Sequence, residues 1–184
     1  MKVTLFISAI ALVMPVVALA RTRMEESSST GLAHTRTEFS FTVNAPFEQV
    51  VPLFGALEER KWAEGWDPQF IYPLPARDVE GEVFKVQHGR NASIWINTAL
   101  DFAAGHIQYA HVLNNAIATF IDIHASRSGP DRTTVTVSYE RTALAPDADE
   151  HVRYLTKSDV NAGQEWGDAM NAYFGRRHVC ASPR

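Results

Sequence analysis

One cysteine, Cys180, stands in a chain of 184 residues. A lone cysteine excludes an intrachain disulfide framework and a cysteine-rich zinc module. Basic residues are outnumbered as well: 17 Lys and Arg against 21 Asp and Glu leave a formal charge of −4. That sign argues against a domain that binds nucleic acid by neutralising phosphates. No GxGxxG, GxxxxGK[ST] or GxSxG run occurs, so a dinucleotide fold, a P-loop and a serine-hydrolase elbow lack support. Seven histidines are present, but none forms a His-x-His or His-x-x-x-His pair and no HExxH run is found. No metal site and no cofactor is therefore expected.

What is present begins with an address. Residues 1–20 read MKVTLFISAIALVMPVVALA. A lysine start, a mostly apolar stretch and a closing Ala18-Leu19-Ala20 form the pattern of a cleaved signal peptide. An uncut membrane anchor is the alternative, because Val3 to Ala20 just reaches bilayer length and Arg21 and Arg23 resist export. An exported protein, periplasmic or secreted, is the expectation. Residues 21–36 are polar and Ser-rich and read as a flexible linker. Residues 37–178 form the domain and 179–184 a tail. Hydrophobic residues at 46% and about 150 residues suffice for one sizeable core.

Within the domain, Phe39, Phe41 and Val43 alternate with Ser40 and Thr42, which predicts a half-buried strand over 37–43. Asn44-Ala45-Pro46 is a helix start with Asn44 as candidate cap. The helix is short, because Pro52 and Gly55 break it. A second short run covers 56–63. Strands are then expected at 82–88, 93–101, 106–113, 116–126 and 132–142, joined by turns such as Ser128-Gly129-Pro130-Asp131. In the last of these, Val135, Val137 and Tyr139 share one face, as in an antiparallel sheet with one wet side. A long helix is expected over 147–174, its apolar line passing through Val152, Leu155, Ala162, Trp166 and Met170 at three- and four-residue steps. Asp159 interrupts that line. Gly163 and Gly167 weaken the helix but admit a close approach to the sheet.

This order is α+β. The opening FSFTVNAPFEQVVPLFGALEERKWAEGWDP, the segment SIWINTALDFAAGHIQYAHV and RTTVTVSYERTAL followed by EWGDAMNAYF resemble bacterial members of the SRPBCC superfamily, the START and Bet v 1-like helix-grip proteins. The resemblance covers about residues 38–178. It implies a curved antiparallel sheet with two short helices after the first strand and a long C-terminal helix over it. It does not imply one function, since the superfamily includes lipid carriers, hormone binders, cyclases and dehydratases. No catalytic residue is carried over.

A cleft between sheet and helix suits a small apolar ligand. Candidate ligand-binding residues are Trp95, Tyr109, His111, Tyr139, Asp159, Trp166 and Met170. Tyr109 and His111 share a strand face with Ile107 and Leu113, and Tyr139 continues the line of Val135 and Val137. Each is equally readable as core. Asp159 is either a pocket carboxylate with a raised pKa or the partner of Arg153 or Lys157. Trp62, Trp66 and Asp67 fall in a charged turn, where the tryptophans plug the core end, gate the cleft or touch a membrane transiently. Glu58-Glu59-Arg60-Lys61 reads as a solvated helix face. Three functions follow: a non-catalytic binder or carrier of a small hydrophobic molecule, a metal-independent cyclase or dehydratase using His111 or Asp159, and a protein-interaction module.

Overall fold

The computed structural model describes residues 23–26 and 31–181; the expected signal peptide and the last residues of the tail lie outside them. In chain order the elements are β1 (Arg23–Glu26), β2 (His34–Val43), α1 (Phe47–Val50), 3-10 turns at Val51–Phe54 and Glu58–Lys61, and β3 (Gln69–Tyr72). Then come β4 (Val83–His88), β5 (Asn91–Asp101), β6 (His106–Leu113), β7 (Ile117–Gly129), β8 (Arg132–Ala143), α2 (Asp149–Ser158) and α3 (Ala162–Ala181). A single sheet runs in the order β1-β2-β8-β7-β6-β5-β4-β3, with every neighbouring pair antiparallel. Strands β3 to β8 are successive hairpins, and only β2 crosses over to pair with the last strand.

The concave side carries the core. Phe39, Phe41 and Val43 of β2, Val135 and Val137 of β8, Ile121 and Ile123 of β7, Tyr109 of β6 and Phe84 of β4 are buried there. Met170 and Phe174 of α3 close over them, with Val50, Val51, Leu53 and Phe54 at the near end. Each such side chain, moved from water into the core, contributes about 1.5–3 kcal/mol. A second, smaller cluster joins Val152 of α2 to Ala33, Ile117, Ala143 and Ala148. Two glycines make close contacts possible. Gly105 has φ +73, and a Cβ there would lie 2.5 Å from the Ala125 carbonyl oxygen. Gly167 sets the α3 backbone against β2, where a Cβ would meet that of Phe41 at 3.3 Å.

The strands from β4 to β8 start and stop within a few residues of the sequence expectation. Four features differ. Arg23–Glu26, inside the stretch read as a linker, pairs with Thr35–Glu38; the open edge of β2 supplies the partner that the polar composition did not advertise. β3 was not expected, because four residues before Pro73 are too few to show a period. Asn44 does not cap α1; Pro46 holds the cap position, with no side-chain cap, and the Asn44 backbone N–H instead donates to Asn171 Oδ1 at 2.8 Å. The long C-terminal helix is broken by a 3-10 turn at Asp159–Asn161, and α3 continues to Ala181. Among the described residues no helix is long and apolar enough to cross a membrane.

Candidate functional site

Two adjoining hollows lie between the sheet and the C-terminal helices. The larger, about 360 Å³, is lined by Ser93 and Trp95 of β5, His111 of β6, Thr119 and Ile121 of β7, Tyr139 and Arg141 of β8, and His151 and Leu155 of α2. The smaller, about 210 Å³, is lined by Glu59, Trp66, Trp95, Tyr109, Ile121, Ile123, Tyr139 and Trp166. Trp95, Ile121 and Tyr139 belong to both walls. Inward-facing residues of five elements thus meet around one space, because strand alternation sends every second side chain to the concave side.

The larger hollow is mixed in character. Trp95 and His111 face each other across the β5–β6 pair and stack with ring centroids 4.1 Å apart and planes 14° from parallel. The Trp95 indole N–H donates to Ser93 Oγ at 2.7 Å. Arg141 lies over the Tyr139 ring, 4.3 Å from its centroid, a favourable cation–π arrangement. Its charge is compensated by Asp159: Nη2 donates to Oδ1 at 3.1 Å and Nη1 to Oδ2, which also accepts from Thr37 Oγ1 at 2.6 Å. Asp159 and Arg141 are both buried. The pair fastens the break between α2 and α3 to β2 and β8.

The smaller hollow is an aromatic box with one ionisable acid. Trp66 and Trp95 meet edge to face at 5.2 Å, and Tyr139 and Trp166 do so at 6.4 Å. The Trp66 indole N–H donates to the Ala56 carbonyl at 2.8 Å, and that of Trp62 to the Leu53 carbonyl at 2.8 Å; both rings plug the end of the core. The Tyr109 hydroxyl donates to the Phe54 carbonyl at 2.9 Å, so its proton is already committed. Burial raises the pKa of that hydroxyl well above normal, and the nearby Glu82 and Glu59 charges add to the effect. Glu59 projects from the second 3-10 turn into this box. Burial first, and the Asp78 charge second, push its carboxyl up to about 8. It retains some accessible surface because it faces the hollow. Two more carboxyls sit behind it. Glu82 is wholly buried; desolvation carries it to about 7 against one hydrogen bond from the Val79 N–H. Asp78 is also raised, by burial, while it accepts from Leu57 N–H at 2.7 Å.

Of the seven candidates, Trp95, Tyr109, His111, Tyr139 and Trp166 line one hollow or both. Asp159 and Met170 do not. Asp159 is neither a pocket carboxylate nor the partner of Arg153 or Lys157; it faces the sheet, where Arg141 and Thr37 hold it. Met170 is fully buried in the core beneath α3. The reading of residues 58–61 as a solvated face holds for Arg60 and Lys61, which are exposed, and fails for Glu59. A 3-10 turn has three residues per turn, so one position in the run faces inward while its neighbours face water. Nothing in a run of four charged residues says which. On the convex side of the sheet Ile94, Ile96 and Phe120 stay exposed.

No family model matches the chain, and no curated protein matches it. Several solved structures are similar. A truncated norcoclaurine synthase from Thalictrum flavum superposes with a TM-score of 0.59 at 10% identity, over 85% of this chain and 100% of that one. The same enzyme in complex with dopamine and hydroxybenzaldehyde gives 0.54 at 10% identity, over 96% and 99%. An uncharacterised protein from Rhizobium leguminosarum gives 0.55 at 13% identity, over 85% and 99%. The likeness is one of fold. The chain has an α+β fold, an antiparallel sheet with a long C-terminal helix over it, that matches these Bet v 1-like structures.

Proposed function

We propose that the chain binds a small, mainly apolar molecule with an aromatic face in the space between the sheet and the C-terminal helices. One observation carries this reading: between sheet and helices the domain keeps two adjoining hollows of about 360 and 210 Å³, the larger within the range of small-molecule sites. The smaller hollow is walled largely by aromatic rings and the larger by a mixture of apolar and polar side chains, so binding comes from apolar burial at about 25 cal/mol per Å² and from ring stacking. Polar groups gather at two ends: Glu59 at one, and Ser93, His111, Thr119, Arg141 and His151 at the other. They orient the ligand. The apolar pattern of residues 1–20 supports export to the periplasm or beyond, and intact-mass measurement of material recovered outside the cytoplasm checks it.

The test uses N-phenyl-1-naphthylamine as an apolar aromatic probe on the full chain. Its emission is expected to rise and shift to the blue, to quench tryptophan fluorescence, and to raise Tm with concentration. Ile121→Phe, which puts extra carbons into the shared wall, is expected to abolish these changes while the circular dichroism spectrum is kept. No spectral change with the wild type, or full binding by Ile121→Phe, refutes the reading.

A specific observation favours a second reading, acid–base catalysis in the same space. A carboxyl with a pKa of about 8 holds its proton at neutral pH, as a general acid must. Glu59 then takes the role that His111 or Asp159 was expected to fill, and Asp159 is tied to Arg141. Incubation of the recovered natural ligand in D₂O separates the two. Deuterium uptake or a mass change with wild type but not with Glu59→Gln marks an enzyme; none with either marks a binder.

A further inference from the structure

We propose that His106, Asp122 and His124, on the convex face of the sheet, form a binding site for a zinc-type divalent ion, separate from the inner hollows. The three come together through register. His106 of β6 pairs directly with His124 of β7. Asp122 stands two residues before His124, so strand alternation puts it on the same outward face. The two imidazoles lie side by side, with centroids 4.5 Å apart and planes 6° from parallel.

The carboxylate already gathers both rings. His106 Nε2–H donates to Asp122 Oδ1 at 2.8 Å, and His124 Nε2–H to Oδ2 at 3.1 Å. One ligand atom from each of the three residues lies within 4.8 Å of the others. A tetrahedral zinc with bonds of about 2.0–2.2 Å sets its ligand atoms roughly 3.4 Å apart. A tilt of the side chains would close the remaining distance. The ring stacking that now holds the two imidazoles parallel would give way to two nitrogens converging on one point.

Outer contacts fit as well. Gln108 Nε2–H donates to Asp122 Oδ1 at 3.4 Å, an orienting contact of the kind ligating carboxylates keep. The side chains keep 33%, 31% and 60% of their surface for His106, Asp122 and His124, which leaves the fourth position open to water. Two imidazoles and one carboxylate suit zinc, copper or nickel and not magnesium or calcium. The ligand set spans two strands, which is why no spacing along the chain announced it.

Titration of the EDTA-treated full chain with Zn²⁺ by isothermal calorimetry tests the proposal. One zinc per chain is expected, and Mg²⁺ at the same concentration is expected to give no binding. His106→Gln, His124→Gln and Asp122→Asn should each weaken zinc at least tenfold with unchanged circular dichroism. His34→Gln, a histidine elsewhere on the sheet, should leave the affinity unchanged. Zinc binding that survives the His106→Gln/His124→Gln double variant overturns the proposal, as does a wild type that binds no zinc or binds Mg²⁺ equally well.

Discussion

Glu59→Gln removes a charge from the aromatic box while keeping the side chain's shape. In the folded chain the carboxyl is pushed up to about 8 from an ordinary 4.5, since burial disfavours its charged form and Asp78 lies near. A raised folded-state value means the neutral acid is the form the fold accepts. The stability tied to this group is thus complete below pH 4.5 and is lost as pH rises through 8. Each pH step in that window costs about 1.4 kcal/mol, so between pH 5 and pH 9 the wild type should lose on the order of 4 kcal/mol that the glutamine variant keeps. For a domain of this size 1 kcal/mol moves Tm by about 2–4 °C. Wild type and variant should melt close together at pH 5, and the variant should melt roughly 10 °C higher at pH 9. Scanning calorimetry at pH 5, 7 and 9 reads the difference directly. Asp78 and Glu82 also titrate high, so both proteins lose stability with pH; the informative quantity is the gap between them. A gap that stays constant with pH, or closes as pH rises, would refute the placement of Glu59 among the aromatic rings.

Arg141→Met should cost about 3–5 kcal/mol in urea unfolding, because Asp159 is left buried without its counter-ion; pairing it with Asp159→Leu should restore most of the loss. A single variant as stable as wild type would mean that the break between α2 and α3 is not fastened by this pair. Gly105→Ala should lower stability by more than 1 kcal/mol, since its φ of +73 disfavours any side chain and the new methyl would overlap the Ala125 carbonyl oxygen. An unchanged urea midpoint would show that the β5–β6 turn adapts.

Local alternation carried much of this protein. The period of two in TEFSFTV and TTVTVSYER decides which side chains of β2 and β8 point inward, and the same rule in HIQYAHVL aims Tyr109 and His111 at the concave side. The helical spacing of Val152, Trp166 and Met170 likewise marks the buried side of α2 and α3. These signals are legible because backbone geometry alone sets them, residue by residue, before any long-range contact forms. What the fold alone decided is which of those inward side chains find a neighbour and which find a space. Met170 landed in solid core and Trp166 at a wall, although the same periodicity placed both. Asp159 looked like a stray charge in an apolar stripe until β8 brought Arg141 to it from 18 residues away. Glu59 looked like one solvated charge among four until its short turn docked over the aromatic box. His106, Asp122 and His124 meet only through the β6–β7 register. A carboxyl's pKa, an ion pair and a ligand set depend on distances and on lost water, and both are fixed by tertiary packing, not by the order of residues along a strand.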